Sequence, residues 1–134
     1  MTAVVADTHA LIWYLCKPNK LSTEALNALD SATNLGELIY ISTISLVEII
    51  YLVEKKRLSQ EILNTIKNAL NSNNFGLALS ELDINVVDKL AEIKRDIVPD
   101  MPDRIIAATA LSLEIPLVSC DSKVRNLSVI TVIW

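Results

Sequence analysis

Three short apolar runs constrain this chain's fold more than any other feature. They are TAVVA at residues 2–6, IYI at 39–41 and LVS at 117–119. Each is too short for a buried helix, and helical stretches lie between them. Strands that are apolar throughout need cover on both faces, which intervening helices supply. The pattern predicts an α/β fold, a short and mainly parallel central sheet flanked by helices, in a single domain over residues 1–134. Further strands are expected at 77–79 and 129–133.

Capping residues set the helix limits. Asp7 or Thr8 caps a helix beginning near His9, and Ser22 caps one running to about Ala32. Ser42 or Thr43 opens a third, reaching about Arg57. Ser59 and Asp83 cap two more, the second extending through Arg95. Leu21 with Leu26, and Leu58 with Leu63, have the spacing of hydrophobic staples. Ile84, Val87, Leu90 and Ala91 fall on one face of the helix after Asp83. Pro102 suits the first turn of a helix carrying Ala107, Ala108 and Ala110, which are small enough for close packing on a sheet. Residues 17–20 and 71–76 have loop chemistry, and 122–127 read as a turn or short helix.

Composition narrows the class. The chain has 134 residues, 51% of them hydrophobic, with two Gly and four Pro, which suits regular elements joined by short loops. No apolar run is long enough for a membrane span, and Asp7 interrupts the only leader-like stretch. Cys16 and Cys120 show no metal or disulfide spacing and read as buried free thiols of a cytoplasmic protein. The net charge of −4 gives no broad basic face for nucleic acid. If a cation covers four of the sixteen acids, the remaining twelve equal the twelve Lys and Arg, and a local basic surface becomes possible.

Four acids stand in unusual places. Asp7 is the first charge in the chain, and Glu48 is the sole charge between Ile39 and Val53. Asp103 opens an apolar helical stretch, and Asp121 ends the run at 116–120. An unpartnered buried carboxylate costs several kcal/mol or more, so convergence on a shared divalent cation is the economical reading. Parallel strands would deliver Asp7 and Asp121 to one edge, where the sites of open sheets lie. All-oxygen ligands select Mg²⁺ or Mn²⁺, and a single His argues against zinc. Such a site suits phosphodiester hydrolysis. Plainer roles stand beside these: a helix cap for Asp7, a dipole partner for Asp103, a turn for Asp121. His9 reads as a packing residue on a stripe with Trp13 and Cys16. Lys55, Lys56 and Arg57 read as a solvated helix end, and Trp13, Tyr40, Tyr51 and Phe75 as core or interface residues.

Four segments together are similar to the PIN-domain nucleases, in the toxin-like branch called VapC. They are VVADTHALIW at 4–13, ISTISLVEI at 41–49, PDRIIAATA at 102–110 and LVSCD at 117–121. The resemblance implies a Mg²⁺- or Mn²⁺-dependent endoribonuclease, a cognate antitoxin, a homodimer and a cytoplasmic location. It assigns Asp7, Glu48, Asp103 and Asp121 as catalytic metal ligands. Thr8, Ser119 and Ser122 are candidate accessory hydroxyls, and Asp100 a candidate second acid before the third motif. Ser119-Cys120 replaces the Thr that commonly precedes the fourth acid. Arg104 could neutralise the carboxylates, touch a phosphate or form a structural salt bridge. Lys123 and Arg125, close to Asp121, are candidate RNA-backbone contacts. An RNA-processing nuclease and a non-catalytic interaction module are the alternatives. A phosphoacceptor receiver domain fits less well, because its paired acids after the first strand and its acceptor Asp are missing.

Overall fold

The computed structural model describes residues 3–72 and 76–134. Its strands are β1 (Val4–Ala6), β2 (Ile39–Ser42), β3 (Leu77–Ser80), β4 (Leu117–Val118) and β5 (Val132–Ile133). They form one sheet in the order β3-β2-β1-β4-β5, and every pairing is parallel. The helices between them are α1 (Thr8–Cys16), α2 (Thr23–Asn34), α3 (Thr43–Glu54), α4 (Gln60–Leu70), α5 (Ile84–Leu90) and α6 (Met101–Leu113). The expected α/β architecture is therefore the observed one. Residue 2 of the first expected strand, and residues 73–75 of the loop at 71–76, lie outside the described residues. Phe75 falls among them.

The sheet separates two apolar cores. Successive strand side chains point to opposite faces. Val4 and Ala6 pack with Leu11, Leu29, Ile39, Ile49 and Ile66 on one side. Val5 packs with Val98, Ile106, Ala107, Ala110 and Leu117 on the other. β1 is the central strand and is buried on both faces, which is why its residues carry no polar alternation. Ala107, Ala108 and Ala110 are wholly buried, and α6 lies against β1 and β2 through this small-residue surface. Truncating a buried Leu or Ile such as Leu29 or Ile106 to Ala would cost about 2–5 kcal/mol.

Side-chain caps fix four of the helix starts read from sequence. Asp7 accepts from Ala10 N–H, Ser22 from Ala25, Ser42 from Ile44 and Asp83 from Val86. Asp100 adds a fifth cap, accepting from Asp103 N–H at 3.1 Å. Ser59 precedes α4 but makes no side-chain cap. α3 stops at Glu54, short of Arg57, where Lys56 takes a positive φ of 58°.

Other expectations need correction. α5 ends at Leu90, not Arg95, because Arg104 captures the carbonyls at its end, with Nη2 donating to Leu90 and Nε to Ile93. Its buried side is Val86 with Leu90, while Ile84 and Val87 face outward. β5 covers only two of the five expected residues. Both cysteines are exposed rather than buried.

Candidate active site

The parallel pairing of β1 with β4 determines where two acids meet. Val5 is in register with Leu117 and Ala6 with Val118, so both chains leave the sheet at the same rim. Asp7 follows β1, and its N–H donates to Val118 O at 3.1 Å. Asp121 follows β4. Ser119, completely buried, joins them: it accepts from Asp121 N–H at 3.1 Å and hydrogen-bonds the Asp7 carboxylate.

The other acids reach the rim from helices. Glu48 lies about one and a half turns into α3 and turns back toward α1. The Thr8 hydroxyl donates to Glu48 Oε1 at 2.6 Å and lies 2.9 Å from Ser45 Oγ. Ser45 is one turn before Glu48 and completely buried, so Ser45, Thr8 and Glu48 form one hydroxyl–carboxylate chain. Asp103 stands in the first turn of α6, behind the Asp100 cap.

Asp7, Glu48, Asp100, Asp103 and Asp121 line one cavity of about 290 Å³, with Thr8, His9 and Cys120 completing its wall. Electrostatics show the same convergence. The Asp103 carboxyl is pushed up to about 7, first by burial and then by Asp100, Asp121, Glu48 and Asp7. Burial also raises Asp7, opposed by the Ser119 and Ala10 hydrogen bonds. Burial raises Glu48 too, opposed by Thr8. The ion pair found among the described residues, Lys89 with Glu92, involves none of these acids.

The remaining candidates divide. Thr8, Asp100 and Ser119 are at the cavity or bonded to its walls. Ser122 is exposed and outside the lining, so it is not among the hydroxyls brought to the acids. Arg104 contacts neither carboxylate nor open cavity; its guanidinium is spent on the Leu90 and Ile93 carbonyls. Lys123 and Arg125 are exposed beside Asp121, whose Oδ1 accepts from Lys123 and Val124 N–H. Sequence reading missed Ser45 and Cys120. Ser45 was legible in principle, one helical turn from Glu48 in an apolar stretch.

The donor set suits a hard divalent cation, because every candidate ligand is a carboxylate oxygen. Among the described residues no three His, Cys, Asp or Glu side chains close on a common point. The carboxylates instead stand around the cavity wall, those of Asp7, Glu48, Asp100 and Asp121 on hydrogen-bond partners of their own. That spacing is compatible with Mg²⁺, which keeps several waters and takes only one or two carboxylates directly.

An acid-lined hollow beyond the carboxyl ends of a short parallel sheet defines a class of small α/β domains built around a shared anionic site. The chain belongs to the PIN domain family, whose model matches residues 4–130. It is 28% identical over 129 residues to Ribonuclease VapC22 of Mycobacterium tuberculosis (strain ATCC 25618 / H37Rv), covering 94% of this chain and 92% of that protein. The fold is similar to VapBC2 from Rickettsia felis bound to a DNA fragment from its promoter. The TM-score is 0.72 at 17% identity, covering 97% of this chain and 96% of that one. DNA-bound VapBC from Salmonella typhimurium gives 0.72 at 18% identity, covering 98% and 97%.

Proposed function

We propose that this chain is a Mg²⁺- or Mn²⁺-dependent endoribonuclease and the toxin of a toxin–antitoxin pair, with residues 1–134 acting as one catalytic domain. One observation carries the reading. Carboxylates from four separate segments share a cavity, and burial, with the repulsion of its neighbours added, raises the Asp103 carboxyl to about 7. The similarity to a protein named a ribonuclease supports the substrate class.

Asp7, Glu48, Asp103 and Asp121 would hold the cation. When bound, it supplies a Lewis acid that lowers the pKa of a coordinated water and neutralises phosphate charge. The protein contributes orientation. Ser119 fixes the relative placement of Asp7 and Asp121, and Thr8 fixes the Glu48 rotamer. Lys123 and Arg125, exposed next to Asp121, are placed to bind RNA phosphates by charge.

The antitoxin proposal rests on two supports. Structures of similar fold include VapBC2 from Rickettsia felis and a toxin–antitoxin complex from Klebsiella pneumoniae. In addition, a groove of about 410 Å³, lined by Val47, Tyr51 and Met101, shares Thr8, His9 and Glu48 with the acid cavity. A partner segment with apolar side chains in the groove and a cation among the acids would block the site. A second copy of the chain would cover other exposed apolar residues such as Ile84 and Val87, giving a homodimer. Among the described residues no helix is long and apolar enough to cross a membrane. A cytoplasmic place is part of the same proposal and rests on the likeness to a ribonuclease, whose RNA substrate is found there.

The test is RNA digestion with mapped ends, in Mg²⁺, in Mn²⁺ and in chelator, for the wild type and Asp7→Asn. Internal cuts that require metal and disappear in the variant are expected. Cleavage that persists in chelator would overturn the reading. Growth arrest on expression, relieved by the neighbouring gene's product, separates a toxin from an RNA-maturation nuclease.

A further inference from the structure

Both tryptophans of the chain and its single histidine lie in one row that begins at the acid cavity. His9 lines the cavity wall. Trp13 follows one helical turn later on α1, its ring centroid 5.8 Å from that of His9. Trp134, beyond β5, stands 5.8 Å from Trp13, and both rings pack at the edge of the same core. Lys20, in the 3-10 turn Pro18–Lys20, holds its ammonium 5.6 Å from the Trp13 ring. The row is thus built by three separated segments: α1, the turn after it and the residue following β5.

We propose that this row is a stacking track for unpaired nucleotides adjoining the bond held at the acid cavity. The proposal rests on the ribonuclease reading and adds how a strand is gripped. The chain carries sixteen acidic against twelve basic residues, so broad attraction for phosphates is weak. Base stacking on aromatic rings is indifferent to net charge and tolerant of sequence, because every base has a π-face. The rings are tilted by 55° and 58° rather than stacked in parallel on one another. His9 is exposed, and Trp13 and Trp134 are partly exposed. Lys20 adds one cation beside Trp13, the middle member of the row, suited to a phosphate next to a stacked base. Paired bases are already stacked on both faces, so the track selects single strands over duplex.

Because both tryptophans are in the row, selectively excited tryptophan fluorescence reports on it alone. The wild-type chain, kept in chelator to prevent cutting, is titrated with a short single-stranded oligoadenylate. An abasic oligonucleotide of equal length and a duplex RNA serve as comparisons. Quenching by the oligoadenylate, with little from the other two, is expected. Trp134→Leu is expected to weaken binding roughly ten-fold, and Trp134→Phe, which keeps a ring, to restore most of it. Equal quenching by the abasic strand, or no quenching by any, overturns the track. Cleavage assays in Mg²⁺ separate the two readings. RNA cut with an unchanged KM by folded Trp134→Leu overturns the track and keeps the nuclease. Oligoadenylate that quenches yet is never cut keeps the track and overturns the nuclease.

Discussion

Thr8 and Glu48 are joined by a 2.6 Å hydrogen bond from hydroxyl to carboxylate, across forty positions of sequence. The bond ties the first turn of α1 to the second turn of α3 and aims Glu48 at the cavity. Thr8→Val keeps the shape and removes the donor, leaving Ser45 and Glu48 each short of a partner. The expected cost is about 1 kcal/mol of stability, with roughly ten-fold weaker Mg²⁺ binding by calorimetry. Thr8→Ser should restore both. Wild-type metal affinity in Thr8→Val would show that Glu48 needs no such support.

The metal-free protein should lose stability as pH rises. Asp103 titrates at about 7 when folded, against an ordinary value of 3.8. Between those values the folded chain keeps a proton that the unfolded chain releases. Stability is therefore highest at the acid end of that window and declines until about pH 7, where the loss is complete. Asp7 and Glu48, also raised, act with the same sign. In chelator, melting at about pH 5 should exceed melting at about pH 8, and Asp103→Asn should flatten the difference.

Adding Mg²⁺ at neutral pH should reverse that loss. At one hundred times its dissociation constant a ligand of the folded state contributes about 2.7 kcal/mol, several degrees in melting temperature for a chain of this size. Asp7→Asn should abolish both this shift and RNA cleavage. The folded state should survive, because Asn also accepts at a helix N-cap and can take the Ala10 N–H bond that Asp7 makes. Asp7→Ala lacks that acceptor and should lose about 1 kcal/mol more.

Arg104 offers a contrast within the same motif as Asp103. Its two hydrogen bonds end α5 and hold it to α6. Arg104→Met should destabilise the fold by about 2–3 kcal/mol, since two carbonyls lose a charged donor. Metal affinity per folded molecule should stay unchanged. A selective loss of metal binding or RNA affinity without loss of stability would return Arg104 to the site.

What the sequence revealed was local. Short apolar runs marked the strands, and Asp7, Ser22, Ser42 and Asp83 marked helix starts, because a cap is decided within four residues. The acids stood out because an isolated charge in an apolar run needs a reason. What escaped was tertiary. The end of α5 depends on Arg104, eleven positions beyond Ile93, and no local signal announces it. The outward turn of Ile84 and Val87 depends on which side of α5 meets α6. The aromatic row joins Trp13 to Trp134, a pairing that spacing along the chain does not suggest.

The adjacency of β1 and β4 has a consequence for synthesis. Asp7 is synthesised well before Asp121, with α1 to α6 between them, yet the two strands that carry them are immediate neighbours. A nascent polypeptide can assemble α1 to α4 and still possess only half a quartet. The hollow therefore closes only when β4 docks beside β1, and a chain cut short before β4 lacks the Asp121 wall.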